Sequence, residues 1–115
     1  MLKEKTSTRP LVSVAPMMDC TDKHDRFFLR LISKNVKLYT EMIVANAIIK
    51  GDTNHLLNFN LLEKPLALQI GGSEPKELAL ASKIAENYGY DEINLNLGCP
   101  SKKVQKNRFG ACLMK

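Results

Sequence analysis

The stretch LALQIGGSEPKELALASKIAENYGYDEINLNLGCP, residues 66–100, decides the fold. It opens with an apolar run, Leu66–Ile70, that predicts a buried strand, and a helical pattern follows after a glycine-rich turn. Pro75 suits the first turn of that helix, and Gly89 suits its end. A further strand is predicted over Glu92–Leu97. Strand, helix and strand joined by short turns predict a parallel βαβ unit.

Two more strands are predicted on the N-terminal side of this unit. The first covers Leu11–Ala15 and ends at Pro16, which has no backbone donor. The second covers Val36–Met42 and continues into a short helix over Ile43–Ile49. Between these strands a helix is predicted with Thr21 as its N-cap. The apolar face of that helix consists of Phe28, Leu31 and Ile32.

The remaining segments are a connection, a tail and a last helix. Residues 52–64 form a polar connection with room for a short helix, anchored by Leu56, Leu57, Leu61 and Leu62. A further helix is expected around Phe109–Met114, and residues 1–10 form a flexible tail. The buried stripe of the helix after Pro75 consists of Leu78, Ala81, Ala85 and Tyr88.

Composition excludes several classes of protein. The 115 residues fit one small domain, and 44% hydrophobic with 25% charged residues exclude disorder and collagen-like repeats. No stretch approaches the roughly 20 apolar residues of a membrane helix. The formal net charge of +5 suits an anionic partner such as RNA, although it is also ordinary for a soluble protein. The three cysteines form no C-x-x-C pair, so we expect no metal site: Cys20, Cys99 and Cys112. We expect the protein to lie in a reducing cytoplasm.

Polar residues at the predicted strand ends are the candidates for a site, because parallel sheets bind ligands beyond the carboxyl ends of their strands. Asn94 and Asn96 alternate with apolar residues along the fourth strand. A buried amide without a hydrogen bond costs about 1–3 kcal/mol. From spacing alone, bonds to loop backbone and bonds to a ligand explain these amides equally well.

Cys99 follows the fourth strand, between a glycine and a proline that hold its thiol outside the sheet. A free cysteine is more often an inert buried residue, and this alternative stays open beside a catalytic role. The positive run Lys102, Lys103, Lys106 and Arg108 fits a solvated face or a phosphate contact. The turn at residues 71–73 fits an ordinary βα connection better than an anion site.

Six segments occur along the chain in this order: SVAPMMD, FFLRLIS, LYTEMI, LALQIGGSEP, YDEINLNLGCPS and FGACLMK. Together they resemble one family, the tRNA-dihydrouridine synthases, and within it the bacterial A-type. The resemblance implies an FMN-bearing TIM barrel followed by a helical RNA-binding domain. The fold class expected for residues 11–115 is therefore α/β: about the first four βα units of a partial (β/α)8 barrel, with parallel strands. We expect the chain to be an N-terminal fragment whose open sheet edge favours pairing with a second copy.

The resemblance also implies roles for single residues. In the family's reaction NADPH reduces FMN, and the reduced flavin reduces a D-loop uridine of tRNA, near position twenty for the A-type. Cys99 matches the family's general acid, and Lys102 and Lys103 would contact the RNA and stabilise the thiolate. Asn96 would contact the target nucleotide, and Gln69 the isoalloxazine edge. The residues implied to line the flavin are Pro16, Met17 and Met18.

Two other functions stay open beside this enzyme. One is an inactive remnant that binds RNA weakly and without specificity through its lysines. The other is a flavin barrel that resembles dihydroorotate dehydrogenase and acts on a free pyrimidine.

Overall fold

A four-stranded parallel sheet forms the centre of the computed structural model, which describes residues 12–115. The strands are β1 (Leu38–Tyr39), β2 (Ile43–Val44), β3 (Leu66–Gly71) and β4 (Glu92–Leu95). All pairings are parallel, and β3 lies between β4 on one side and β1 and β2 on the other. The predicted tail and Leu11 lie outside the described residues.

Five α-helices and two 3-10 helices complete the described part of the chain. The α-helices are α1 (Lys23–Ile32), α2 (Ala45–Lys50), α3 (Thr53–Leu57), α4 (Pro75–Tyr88) and α5 (Lys102–Lys106). The 3-10 helices cover Leu61–Glu63 and Gly110–Met114. No helix within residues 12–115 is long and apolar enough to cross a membrane.

The second predicted strand is present but interrupted. Tyr39 pairs with Ala67 and Ile43 pairs with Ile70, so three residues on this edge oppose two on β3. The prediction of one continuous strand over Val36–Met42 is therefore wrong, because this extra residue makes a β-bulge. The bulge takes Thr40 and Glu41 out of the regular ladder at the end of the strand.

The order of the strands in space follows their order in the chain. A parallel bridge joins Ser13 to Lys37, so the first predicted strand lies beside the second as a single bridge. Residues 12–14, 36–44, 66–71 and 92–95 are thus neighbours in sequence and in space. Within residues 12–115 the sheet stays open. This arrangement is the one that the βα units of a (β/α)8 barrel adopt, and it confirms the parallel α/β fold.

The core lies between β3 and the helices packed against one face of the sheet. Every residue of β3 is buried. Leu66, Leu68 and Ile70 belong to the apolar cluster, so the two-residue period of a strand directs Ala67, Gln69 and Gly71 to the other face. The predicted buried stripe of α4 is confirmed by fully buried Ala81 and Ala85. Gly89 ends α4 with φ +89°, as its position predicts.

Helix α1 differs from its prediction at both its start and its buried face. The N-cap is Asp22, whose carboxylate accepts from the backbone N–H of His24 and Asp25, and Thr21 lies one residue before it. The side chains that α1 buries are Arg26 and Arg30. The predicted apolar face exists, but it is 60–68% exposed: Phe28, Leu31 and Ile32.

The connection between α2 and β3 contains α3 and the first 3-10 helix. Leu57 is fully buried, and Leu56 packs against the core. The prediction that Leu61 and Leu62 are anchors is wrong, since they are 77% and 58% exposed. The buried residue of that 3-10 helix is Glu63, because Arg26 on α1 pairs with its carboxylate.

The C-terminal segment also differs from its prediction. β4 ends at Leu95 rather than Leu97, and Asn96 begins the loop. Helix α5 was not predicted, and Ser101 caps it by accepting from the N–H of Val104. The helix expected around Phe109–Met114 is a 3-10 helix that begins at Gly110.

Candidate functional site

The loop after the first strand segment is a compact turn built around Met17 and Thr21. The Met17 N–H donates to Thr21 Oγ1 over 3.0 Å, and the Met17 carbonyl accepts from the backbone N–H of Cys20 and Thr21. Thr21 is buried, whereas Met17 and Met18 are 57% and 52% exposed. The turn therefore presents two large apolar side chains, next to half-buried Pro16, at the end of the strand.

A carboxylate joins this loop to the end of the second strand. The backbone N–H of Asp19, which has φ +62°, donates to Glu41 Oε1 over 2.6 Å. A positive φ is costly for a residue other than glycine, and it persists only where the surroundings hold it. Glu41 thus fixes a strained point of the loop that carries Met17 and Met18.

The bulge in the second strand gives Thr40 a contact with β3. Thr40 Oγ1 accepts a hydrogen bond from the backbone N–H of Gln69 over 3.1 Å. The hydroxyl thus replaces the backbone carbonyl that would accept this bond in a regular strand pairing. The Thr40 N–H donates to the carbonyl of Ala67, so the two strands stay joined on both sides of the bulge. The backbone of Gln69 is therefore held from both neighbouring strands, since Gln69 is also the register partner of Asn94 on β4.

The side chain of Gln69 bridges the two asparagines that the sequence analysis singled out. Its Nε2 donates to Asn94 Oδ1 over 2.8 Å, and its Oε1 accepts from Asn96 Nδ2 over 3.0 Å. Of the two explanations left open for these amides, bonds to loop backbone hold for Asn96. Asn94 is half-buried and bonds to Gln69 instead.

Asn96 holds the loop that carries Cys99. Its Oδ1 accepts the backbone N–H of Gly98 over 3.1 Å and that of Cys99 over 3.0 Å. The N–H of Asn96 itself donates to the carbonyl of Ile70 on β3. The cysteine backbone is therefore attached to the sheet through one side chain and one strand neighbour.

Ser101 is the polar group nearest the thiol among the described hydrogen bonds. Cys99 Sγ lies 3.5 Å from Ser101 Oγ. Hydrogen bonds from the side chain and then the backbone of Ser101 hold the pKa of the Cys99 thiol below its ordinary value of 9.0. The hydrogen bonds of Ser101 therefore favour the thiolate form of Cys99.

The segment after α5 supports the cysteine loop from the other side. The Ala111 N–H donates to the carbonyl of Cys99 over 3.1 Å. Phe109 is buried beside Gly71, where a Cβ would lie 2.8 Å from the Phe109 ring. Phe109, which precedes the 3-10 helix, therefore packs against the end of β3, and Ala111 within that helix holds the loop between Gly98 and Ser101.

Lys102 and Lys103 are exposed residues in the first turn of α5. They directly follow the helix cap Ser101, so they share a short segment with the thiol. His24 and His55 lie elsewhere, beside a groove of about 450 Å³ between α1 and α3. That groove contains none of the predicted site residues, and we assign it no role.

Hydrogen bonds join residues from four strand ends into one line. The line runs from Asp19 through Glu41 and Thr40 to Gln69, and from there through Asn96 to Cys99. Glu41 and Ser101 were not assigned a role from the sequence. The available signals were an acidic residue inside a buried strand and a hydroxyl two residues after the thiol.

The described strand ends fit the ring system of a flavin. The exposed side chains of Met17 and Met18 offer polarisable apolar surface, and the Asn94 amide offers a donor on the same half-buried face as Gln69. These are the contacts that a flat, partly polar ring uses. No group of three or more potential metal ligands occurs within residues 12–115.

Fold and site together define an α/β protein of the parallel barrel type, with a cysteine loop at the carboxyl ends of its strands. The sequence profile of the family described as "Dihydrouridine synthase (Dus)" matches residues 13–115. The chain belongs to this family, which confirms the resemblance seen in its motifs.

Individual relatives agree with the family assignment. The chain is 61% identical over 104 residues to a "tRNA-dihydrouridine(20/20a) synthase" of Xanthomonas campestris pv. campestris, covering 90% of this chain and 31% of the relative. A Synechocystis protein of the same name is 59% identical over 109 residues, covering 95% and 32%. One of Pseudomonas aeruginosa is 58% identical over 102 residues, covering 89% and 31%. The chain thus spans about a third of the length of the curated relatives that it matches.

Proposed function

We propose that this chain forms the N-terminal part of the flavin-binding barrel of a tRNA-dihydrouridine synthase, acting in the cytoplasm. The reaction would convert a D-loop uridine, NADPH and a proton into 5,6-dihydrouridine and NADP⁺. The observation that carries the proposal is the Cys99 thiol, held at the strand ends by Asn96 and hydrogen-bonded to Ser101. The names of the relatives favour uridines 20 and 20a.

The cofactor that fits is FMN, which would supply hydride to carbon 6 of the uracil ring when bound and reduced. Its ring would lie against Pro16, Met17 and Met18, and the Gln69–Asn94 pair would face its polar edge. The loop that carries Met17 and Met18 can keep a defined shape for this contact, because Glu41 accepts a hydrogen bond from the N–H of Asp19. NADPH is the reductant in this proposal.

Cys99 would donate the proton that the reduced ring needs at carbon 5. The S–H bond breaks, a C–H bond forms, and the thiolate left behind is stabilised by the hydrogen bonds of Ser101. A proton donor must be protonated beforehand, so the same hydrogen bonds reduce the active fraction as pH rises. Asn96 would orient the target nucleotide, because its side-chain amide can form a further hydrogen bond beyond those to the loop backbone.

The RNA would reach the thiol past α5. Lys102 and Lys103 are exposed there, and they would contact tRNA phosphates while the target base is turned out of its loop. Lysine contacts of this kind supply affinity that weakens with salt.

The test is dihydrouridine content of tRNA, measured by mass spectrometry in cells whose own synthase is deleted. We expect the complete gene to restore dihydrouridine, Cys99→Ala to abolish it, and the Cys99→Ala protein to keep its flavin. The matched control is Cys112→Ala, which removes another free, half-buried thiol. Loss of flavin in the Cys99→Ala protein would show a structural cysteine and contradict the proposed role.

Two outcomes would favour the other functions. Reduction of a free pyrimidine without tRNA would favour the enzyme that resembles dihydroorotate dehydrogenase. Absence of flavin, together with RNA binding that salt removes for every RNA tested, would favour an inactive remnant.

A further inference from the structure

Asn94, Gln69 and Asn96 form a chain of side-chain amides, here called the carboxamide relay, that ends on the backbone of Cys99. We propose that Asn94 is a positioning residue for the Cys99 thiol and acts through Gln69 and Asn96. Asn94 has no hydrogen bond to the cysteine loop among those of the described residues. Its influence would pass through the orientation of the two amides between them.

The direction of every hydrogen bond in the relay is fixed by the cysteine loop. The backbone N–H groups of Gly98 and Cys99 can only donate, so Asn96 must turn Oδ1 toward them. Its Nδ2 then faces Gln69, which must present Oε1. The Nε2 of Gln69 is left facing the other way, and only an acceptor on Asn94 satisfies it. An amide reversed at any point would put two donors or two acceptors together.

The carboxamide relay also connects the strands β3 and β4 to the loop that carries Cys99. Gln69 and Asn94 are register partners on β3 and β4, so the strands fix the distance between them. Asn96 and the residues after it have left the strand. Two of the bonds that hold this loop come from the single oxygen of Asn96, so the orientation of that amide sets where the thiol lies.

The decisive experiment compares Asn94→Leu with Asn94→Asp in the complete polypeptide. Leucine has a similar volume and no acceptor, whereas aspartate keeps an oxygen for Gln69 Nε2. The measurement is hydrogen exchange of the Gly98 and Cys99 amides. We expect exchange to become roughly tenfold faster in Asn94→Leu and to change less than about twofold in Asn94→Asp. The Thr40 amide, which is bonded to the Ala67 carbonyl, reports any general loosening and stays unchanged.

A second measurement follows the thiol itself. The rate of iodoacetamide alkylation against pH is read on the tryptic peptide 84–102, which contains Cys99 but not Cys20 or Cys112. In Asn94→Leu the thiol lies less often beside Ser101, so the midpoint of the profile moves upward. Should Asn94→Leu fail to fold, Asn94→Ser replaces it, because its short hydroxyl also leaves Gln69 Nε2 unbonded.

The relevance of the carboxamide relay to catalysis rests on the proposed function. The experiments distinguish failure of the relay from failure of that function. Equal exchange and equal alkylation in Asn94→Leu and the parent protein would overturn the relay. A general rise in exchange that includes Thr40 would also overturn it, since Asn94 would then be merely structural. Faster exchange at Gly98 and Cys99 supports it, even if Cys99→Ala keeps full dihydrouridine formation and the role of Cys99 fails.

Discussion

Arg26 Nε donates to Glu63 Oε1 over 2.6 Å, and the two side chains are only 7% and 1% exposed. This pair joins α1 to the 3-10 helix that leads into β3. Glu63 Oε2 also accepts the N–H of Asn60, and Arg26 Nη1 donates to the carbonyl of Thr21. One buried pair therefore fixes the helix that follows the Met17 loop against the segment that precedes Gln69.

Removal of one charge of this pair should destabilise the protein strongly. In Glu63→Gln the Arg26 guanidinium stays buried without its carboxylate, and such a loss typically costs about 3–5 kcal/mol. The measurement is the free energy of unfolding in urea, for the parent and the variant. Flavin content at low urea shows whether the first loop stays in place.

The matched control is Lys64→Ala, which breaks the neighbouring Lys64–Asp91 pair. Both of its side chains are more than a third exposed. Exposed pairs contribute about 1 kcal/mol or less. If the two variants lost equal stability, burial would not explain the importance of the Arg26–Glu63 pair.

The elements best predicted from sequence are those whose signals are local. The strand at Leu66, the helix from Pro75 and its end at Gly89 all follow from periodicity, a fixed proline φ and a left-handed glycine. The placement of site residues at strand ends was also predictable, because parallel strands bring their carboxyl ends to one edge.

The features that were not predicted correctly depend on contacts between residues that are distant in sequence. Leu61 was expected inside, but the buried place belongs to Glu63 because Arg26 lies across from it. The bulge at Thr40 comes from pairing with β3, which a single strand's pattern does not record. The contact of Glu41 with Asp19 likewise joins residues that are 22 positions apart.

Gly110→Ala should disrupt the cysteine loop. Gly110 has φ +64°, and a Cβ there would lie 2.7 Å from the carbonyl oxygen of Cys99 and 2.6 Å from Val104 Cγ1. The backbone that carries the thiol would have to move, since a carbonyl oxygen is not a flexible side-chain end. We expect dihydrouridine formation to fall at least about tenfold, because a displacement of about 1 Å can cost a hundredfold in rate. The assay is single-turnover reduction of tRNA.

Gly89→Ala is the comparison for Gly110→Ala. Gly89 also has positive φ, +89°, but nothing lies within 4 Å of its added Cβ. It should therefore show only the backbone cost of about 1–2 kcal/mol in stability, with unchanged activity. Equal activity of the two variants would mean that the contact of Gly110 with Cys99 does not matter.

Ser101→Ala should raise the pKa of the Cys99 thiol toward its ordinary value of 9.0, since the side-chain hydrogen bond is the main cause of the lowered value. A proton donor is active below its pKa and loses activity as pH rises through it. The alkaline limb of the pH–rate profile should therefore move to higher pH in Ser101→Ala. Alkylation of Cys99 as a function of pH should show a shift in the same direction.

Ser101→Thr provides the control because it keeps the hydroxyl and the helix cap. Its pH profile should match that of the parent protein. A profile that moves equally in Ser101→Ala and Ser101→Thr would assign the effect to altered packing of α5 rather than to the hydrogen bond on Cys99.

Lys102→Ala and Lys103→Ala should weaken tRNA binding without changing the pH dependence of Cys99. Each residue that contacts a phosphate contributes about one unit to the slope of log affinity against log salt, so the double variant should bind with a slope lower by about two. Filter binding over a salt series measures this slope. Lys83→Ala, an exposed lysine within α4, is the control and should leave it unchanged. Charge beside the sulfur changes the alkylation profile of Cys99, whereas charge beside a phosphate changes the salt slope of tRNA binding. If the double variant had a shifted alkylation profile and an unchanged salt slope, both lysines would instead act on the thiolate.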